Sequence, residues 1–253
     1  MKTILLIVLL SGYAACFSQE NSLFMTDSLI AVHKVKTRTK RIQAMSEYPY
    51  VIDYFDESGK LTLSETFNST NDSLMIRTNN YYNSKGLLDS SIITKNEFYK
   101  STFLIFDVHN KSVDALKTYY QYDQLNRRLK TITKDDHDRL NYETLYTYDP
   151  FSYNILHYSL TGYVFKVVEC KFEHGRVPLG LVESELDENG RIFNQFKTII
   201  TNSYNANDQL ESAKYESPDC KCNRNYSYYK NGLLKSKKKD KCSLNWSYSY
   251  TYY

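Results

Sequence analysis

The chain has no apolar run long enough to cross a bilayer as a helix. The longest run, "ILLIVLL" (Ile4 to Leu10), comes after Lys2 and precedes small residues, which is the layout of an export peptide. No Pro- or Ser-rich linker divides the remainder of the chain, so a single unit is expected. No Gly-x-Ser-x-Gly elbow, phosphate loop, dinucleotide fingerprint or zinc-protease pair occurs, which leaves an enzyme reading unsupported. No cofactor or metal is called for. The excess of one charge sign is small, +3 in all, and supplies no argument for nucleic acid as a partner.

The leader spans residues 1–18 and ends at either of two places. Signal peptidase would use the small residues Cys16 and Ser18 and leave Gln19 first. Lipoprotein processing would instead acylate Cys16 after Ala14 and Ala15. Plain secretion is preferred because Tyr13 stands where the lipoprotein pattern wants an aliphatic. The protein is thus expected to be secreted or periplasmic, with a lipid-anchored envelope protein as the alternative. Membrane association is expected only through that anchor.

What is abundant is tyrosine, 25 residues against a single Trp. Tyrosine suits half-buried strands, because the ring packs while the hydroxyl stays wet. In "NYETLYTYD" Tyr142, Thr144, Tyr146 and Tyr148 share one face. In "NWSYSYTYY" Trp246, Tyr248, Tyr250 and Tyr252 share one face, opposite Ser247, Ser249 and Thr251. Such alternation predicts antiparallel strands with one covered face. Helical spacing is weak; its best stretch, Ser28 to Ala44, contains "VKTRTKRI", which suits a first strand equally well.

A short turn pattern recurs: an aromatic, Asp or Asn, a few polar residues, Gly or Asn, then an aliphatic. Copies start at Phe55, Tyr82, Phe106, Tyr122, Tyr148, Phe172, Leu186, Tyr204 and Tyr228, about every 22 residues, a period typical of repeat architectures. The acid or amide initiates each turn, as at Asp56, Asp123 and Asp187. Gly59, Gly86, Asn126, Gly190 and Gly232 supply the positive φ, and Asn231-Gly232 is a hairpin tip.

"YDQLNRRL" (Tyr122 to Leu129), "LDENGRI" (Leu186 to Ile192) and "FDESGKL" (Phe55 to Leu61) resemble the YD repeats of rearrangement-hotspot proteins. The resemblance covers most of Pro49 to Tyr253, with copies less regular than the family's. It implies β-sheets that curl into shells or rods and often carry a toxin; this chain is expected to be too short for a closed shell and carries no toxin segment. The expected fold is therefore all-β: an antiparallel meander of repeated hairpins forming an extended, curved or partly rolled YD-repeat-like sheet over 49–253. Residues 19–48 form an N-terminal segment and first strand.

Four cysteines lie beyond the leader: Cys170, Cys220, Cys222 and Cys242. An even number in an exported chain points to disulfides. Cys242 falls opposite Cys220 or Cys222 across the Asn231-Gly232 hairpin, and the remaining one reaches Cys170 on a neighbouring strand. A four-Cys zinc site fits the Cys-x-Cys spacing poorly. "KSKKKDK" (Lys235 to Lys241) reads as a solvated strand whose lysines block edge pairing rather than as an anion-binding patch. "KDDHD" (Lys134 to Asp138) reads as a polar loop rather than a cation or acid–base cluster. The tyrosine rows pack a sheet face. The functional expectation is a non-enzymatic structural or binding module with an unidentified protein or polysaccharide partner. The alternatives are a carbohydrate-binding tyrosine surface, or an enzyme whose cleft would gather histidines such as His109, His137 and His174.

Overall fold

The computed structural model describes residues 27–42, 49–95, 107–108, 111–112, 115–138, 140–149, 152–158, 164–172, 178–207, 209–217, 221–240 and 245–253. The leader, Cys16, Cys220, Cys242 and the turn copies at Phe106 and Phe172 lie wholly or partly outside these residues. A one-and-a-half-turn helix, α1 (Asp27–Val32), leads directly into β1 (Val35–Ile42), the "VKTRTKRI" segment. The chain then runs through β2 (Tyr50–Phe55), β3 (Leu61–Phe67), β4 (Leu74–Tyr82) and β5 (Leu88–Lys95). A separate short hairpin, β6 (Asp107–Val108) with β7 (Lys111–Ser112), interrupts the series. Next come β8 (Ala115–Tyr122), β9 (Arg128–Asp135), β10 (Leu140–Asp149), β11 (Ser152–Tyr158), β12 (Val164–Phe172) and β13 (Pro178–Leu186). The last five are β14 (Ile192–Tyr204), β15 (Leu210–Glu216), β16 (Lys221–Tyr228), β17 (Leu234–Lys239) and β18 (Trp246–Tyr252).

All strands except β6 and β7 form one antiparallel meander, and it closes: β1 pairs with β2 on one side and β18 on the other. The sheet is a closed barrel, not the open or partly rolled sheet expected. Sixteen short strands suffice for closure because each needs only two lateral partners, and closure removes both unpaired edges. β1, the first strand expected within residues 19–48, completes the barrel. One further expectation falls with the edges. β17 pairs on both sides, so its lysines guard no edge.

Register assigns every strand an inner and an outer face. Arg38, Asp53, Ser64, Thr78, Ile93 and Leu116 are successive cross-strand partners on one face. That face is the inner one: on β9, Thr131, Thr133 and Asp135 are buried while their neighbours are not. Trp246, Tyr248 and Tyr250 lie on it, and Ser247, Ser249 and Thr251 lie outside. The alternation in sequence thus becomes the inside and outside of a barrel.

Because the strands alternate in direction, the hairpins fall on two rims. The hairpins β2–β3, β4–β5, β8–β9, β10–β11, β12–β13, β14–β15 and β16–β17 close at one rim, called upper here, where β18 ends and β1 begins. The connection β13–β14 closes at the opposite, lower rim, as do β3–β4 and β9–β10. Towards the upper rim the interior is apolar. Val35, Phe55, Leu210, Leu233, Leu234, Ala213, Tyr226 and Tyr248 form one cluster, into which α1 sends Ile30.

Candidate functional site

The turn copies share one geometry. In the Asp56 turn the Gly59 N–H donates to the Asp56 carbonyl at 2.9 Å and the Asp56 N–H donates to the Lys60 carbonyl at 2.9 Å. The same pair of bonds recurs at Asn83, Asp123, Asp187 and Tyr229. Gly59, Gly86, Asn126, Gly190 and Gly232 all take φ between 60 and 85°. The acid or amide does structural work: Asp123 Oδ1 accepts from the N–H groups of Leu125 and Arg127, and Asp187 Oδ1 from those of Asn189 and Arg191. Desolvation alone would raise the Asp123 carboxyl, but these hydrogen bonds and the Arg127 guanidinium together outweigh it and hold the carboxyl below the ordinary carboxylate range. At the last hairpin Tyr229 replaces the acid, and Asn231 Oδ1 accepts from the Leu233 N–H at 3.3 Å.

The aromatic that opens each copy has a separate task. Tyr82 Oη donates to the Leu61 carbonyl at 2.9 Å and Tyr122 Oη to the Leu88 carbonyl at 2.8 Å. Tyr148 Oη donates to the Arg128 carbonyl at 2.6 Å and Tyr228 Oη to the Leu210 carbonyl at 2.8 Å. Each acceptor is the first residue of the returning strand in the preceding hairpin. Tyr250 repeats the contact on Leu234 at 2.8 Å, and Tyr253 Oη donates to the Phe55 carbonyl. The tyrosines therefore form a girdle that ties neighbouring hairpins along the upper rim. Burial pushes the Tyr228 and Tyr250 hydroxyls well above the ordinary phenol range. The girdle was invisible in sequence, because period two identifies a face but not where a hydroxyl ends.

Towards the lower rim the interior is polar. Thr133, Asp135, Thr144, His157, Lys166, Glu183 and Glu185 are all buried on adjacent strands β9 to β13. Lys166, 1% exposed, pairs with Glu183 through Nζ–Oε2 at 2.9 Å. Beside it, His157 Nδ1 lies 3.3 Å from Thr144 Oγ1. Its other nitrogen, Nε2, is enclosed without a hydrogen-bond partner. Burial foremost, and then the neighbouring Lys166 charge, lower the His157 pKa to about 4. With its pKa so lowered, the His157 imidazole is neutral at ordinary pH. Sequence reading passed over this group. Its signal was a charged residue on an otherwise apolar face, Lys166 beside Val168 and His157 beside Ile155.

A second buried ion group lies across the barrel. Asp53 accepts from Arg38 Nη2 at 2.6 Å, Lys40 Nζ at 2.7 Å and Ser64 Oγ at 2.8 Å. Burial alone would raise the Asp53 carboxyl, but Lys40 and Arg38 outweigh it and bring it below the ordinary range.

The remaining sequence candidates stand apart. Asp135, Asp136 and His137 offer ligand atoms within 4.8 Å of one another, with His137 Nδ1 2.6 Å from Asp136 Oδ1 at the lower rim. His157 is two strands away and is not part of that group. Cys170 and Cys222 both face inward but are not bonded to each other, and no disulfide occurs among the described residues. Cys170 on β12 and Cys222 on β16 lie on non-adjacent strands, with β13, β14 and β15 between them. Of the lysine strand, Lys237 points inward, its Nζ 5.8 Å from the Tyr226 ring centre and 5.7 Å from that of Trp246.

The outer wall carries charges at mid-strand. Arg77 pairs with Glu65 at 2.7 Å across β3 and β4, and Lys130 with Glu143 at 2.7 Å across β9 and β10. Nearer the lower rim, Lys214 pairs with Glu216, the last residue of β15, at 2.8 Å. Among the described residues no helix is long and apolar enough to cross a membrane. A barrel that crosses one wears a continuous apolar band about 25 Å tall, and these outward pairs interrupt any such band.

No family model matches the chain, and no curated protein matches it. Among solved structures it is similar to a porin-like protein from Bacteroides uniformis, at 10% identity and a TM-score of 0.41, covering 87% of this chain and 97% of that one. It is also similar to the TcdB2-TccC3-TEV structure, at 10% identity and a TM-score of 0.25, covering 80% of this chain and 13% of that one. A third likeness is to the Photorhabdus luminescens Tc holotoxin pore, at 13% identity and a TM-score of 0.17, covering 80% of this chain and 9% of that one. At these scores the likenesses carry no functional argument.

Proposed function

We propose that the protein is an exported, non-enzymatic structural or binding module, a barrel that works at the cell envelope or beyond it and outside the hydrocarbon core of a bilayer. The observation that carries this reading is the outer wall with its cross-strand charge pairs Arg77–Glu65 and Lys130–Glu143. Burying such pairs in hydrocarbon would cost several kcal/mol each, on the order of the penalty for lipid-facing Lys or Arg in barrels. The leader of residues 1–18 supports export, and the YD-like turns support a role in assembling surface rather than performing chemistry. The test is to produce the protein in an exporting host and fractionate it. The processed chain should be recovered in the exported fraction and remain monodisperse without detergent. Recovery only with detergent would overturn the reading.

A further inference from the structure

The two rims differ in charge. On the upper rim, the α1–β1 junction and the described turns carry Lys34, Lys60, Lys85, Arg127 and Lys230 against Asp56, Glu57 and Asp123, a net of +2. On the lower rim, the described turns carry Asp72, Asp136, Asp138, Asp187, Glu188 and Asp240 against Arg191, a net of −5. Large apolar side chains are exposed at both rims: Ile192 and Phe193 at the lower, and Val32, Leu125, Tyr229, Tyr252 and Tyr253 at the upper, with Leu125 and Val32 more than 70% exposed. Cations also sit over those rings, Lys36 Nζ 5.9 Å from the Tyr253 ring centre and Lys235 Nζ 5.8 Å from that of Tyr229.

Interleaved Tyr and Lys with exposed aliphatics is the composition of a membrane interface, where rings sit at headgroup level and ammonium groups meet phosphates. We propose that the upper rim docks on an anionic lipid surface, with the barrel axis steep to the membrane and the acidic rim turned away. This rests on the reading that the barrel stays outside the hydrocarbon core.

The test uses the processed protein made with Cys16→Ser, so that no acyl chain contributes, in co-sedimentation with vesicles of phosphatidylcholine alone and of phosphatidylcholine mixed with phosphatidylglycerol. Binding is expected to the mixed vesicles and to fall as salt rises. Lys85→Glu, Arg127→Glu and Lys230→Glu together should weaken it at least tenfold, since each basic residue at such a surface contributes about 1 kcal/mol. Leu125→Ser with Tyr229→Ser should weaken it while leaving its salt dependence in place. The single tryptophan, Trp246, begins β18 at the lower rim, so brominated lipid should leave its fluorescence unquenched. Absence of binding to the mixed vesicles, equal binding by the charge-reversed protein with an unchanged circular dichroism spectrum, or quenching of Trp246 would each overturn the proposal. A protein that cannot be kept in solution without detergent would instead overturn the reading of the wall.

Discussion

The two ends of the barrel solve the same problem with different chemistry. Each must seal the space inside a sixteen-stranded wall, which is wider than the eight-stranded barrels that side chains fill readily. The upper end uses apolar residues and α1, and pins its hairpins with tyrosine hydroxyls on backbone carbonyls. The lower end seals its β9–β13 sector with hydroxyls and charges, the Lys166–Glu183 pair and a neutral His157. Hydroxyl-to-carbonyl bonds are insensitive to pH over the ordinary range. Buried ionisable groups are not. The difference makes the lower end the part of the barrel that conditions and single substitutions should disturb most.

The largest effect expected is from breaking the buried pair. Glu183→Ala removes the 2.9 Å carboxylate contact of a Lys166 ammonium that is 1% exposed, which should cost roughly 3–5 kcal/mol in denaturant unfolding. Lys166→Met with Glu183→Leu removes both charges and should recover most of that loss. If the double variant is as unstable as the single one, the pair is more than a seal and the comparison of the two ends breaks.

Next comes acid. His157 has its pKa lowered from 6.5 to about 4 in the folded protein, so the unfolded chain binds a proton that the folded chain refuses. Its contribution is therefore complete above about pH 6.5 and lost as pH falls towards about 4, roughly 3 kcal/mol in all. His157→Gln should flatten stability across that window. Amide exchange should show the loss first in β10 to β12, and protection lost first at the upper rim would contradict the contrast.

How far these ends were legible in sequence differs for a physical reason. Turn chemistry is local: a positive φ wants Gly or Asn, and an Asx oxygen reaches N–H groups two and four residues on, so Asp56, Gly59, Asp187 and Gly190 announce themselves. Strand faces are also local, through alternation, and they placed Tyr146 and Tyr148, or Tyr248 and Tyr250, on one side. Closure is not local. Whether β1 meets β18 depends on strand count, tilt and accumulated twist, none of which leaves a mark on "VKTRTKRI" or "WSYSYTY". The girdle fails to show for the same reason, since Tyr228 and its acceptor Leu210 belong to different hairpins. His157 and Lys166 lie in different strands, and only the register of β11 on β12 makes them neighbours.

The turns permit a finer comparison, because one copy, at Asp187, lies on the lower rim while the other described copies lie on the upper. Gly190 has φ 75° with nothing within 4 Å of the position a Cβ would take, so Gly190→Ala meets only backbone strain. About 1–2 kcal/mol is expected from the left-handed conformation alone. Gly86→Ala adds a clash, its Cβ falling 2.7 Å from Lys60 Nζ. That ammonium ends a flexible side chain and can move, so thermal unfolding should place Gly86→Ala only slightly below Gly190→Ala. A much larger loss at Gly86 would mean that Lys60, seated over the Tyr82 ring, is fixed there by the girdle.

The smallest effects belong to the girdle itself. Tyr228→Phe keeps the ring and deletes the hydroxyl that donates to the Leu210 carbonyl at 2.8 Å, so the cost should be about 1 kcal/mol. Tyr122→Phe removes the equivalent bond to Leu88, far around the barrel from Tyr228 with no shared partner, so the two losses should simply add. A double variant that loses much more than the sum would show that the hydroxyls act together as one hoop, each bond holding its hairpin in place for the next. Additivity would mean that each tyrosine staples only its own pair of hairpins, and that the ladder between β1 and β18 keeps the barrel closed.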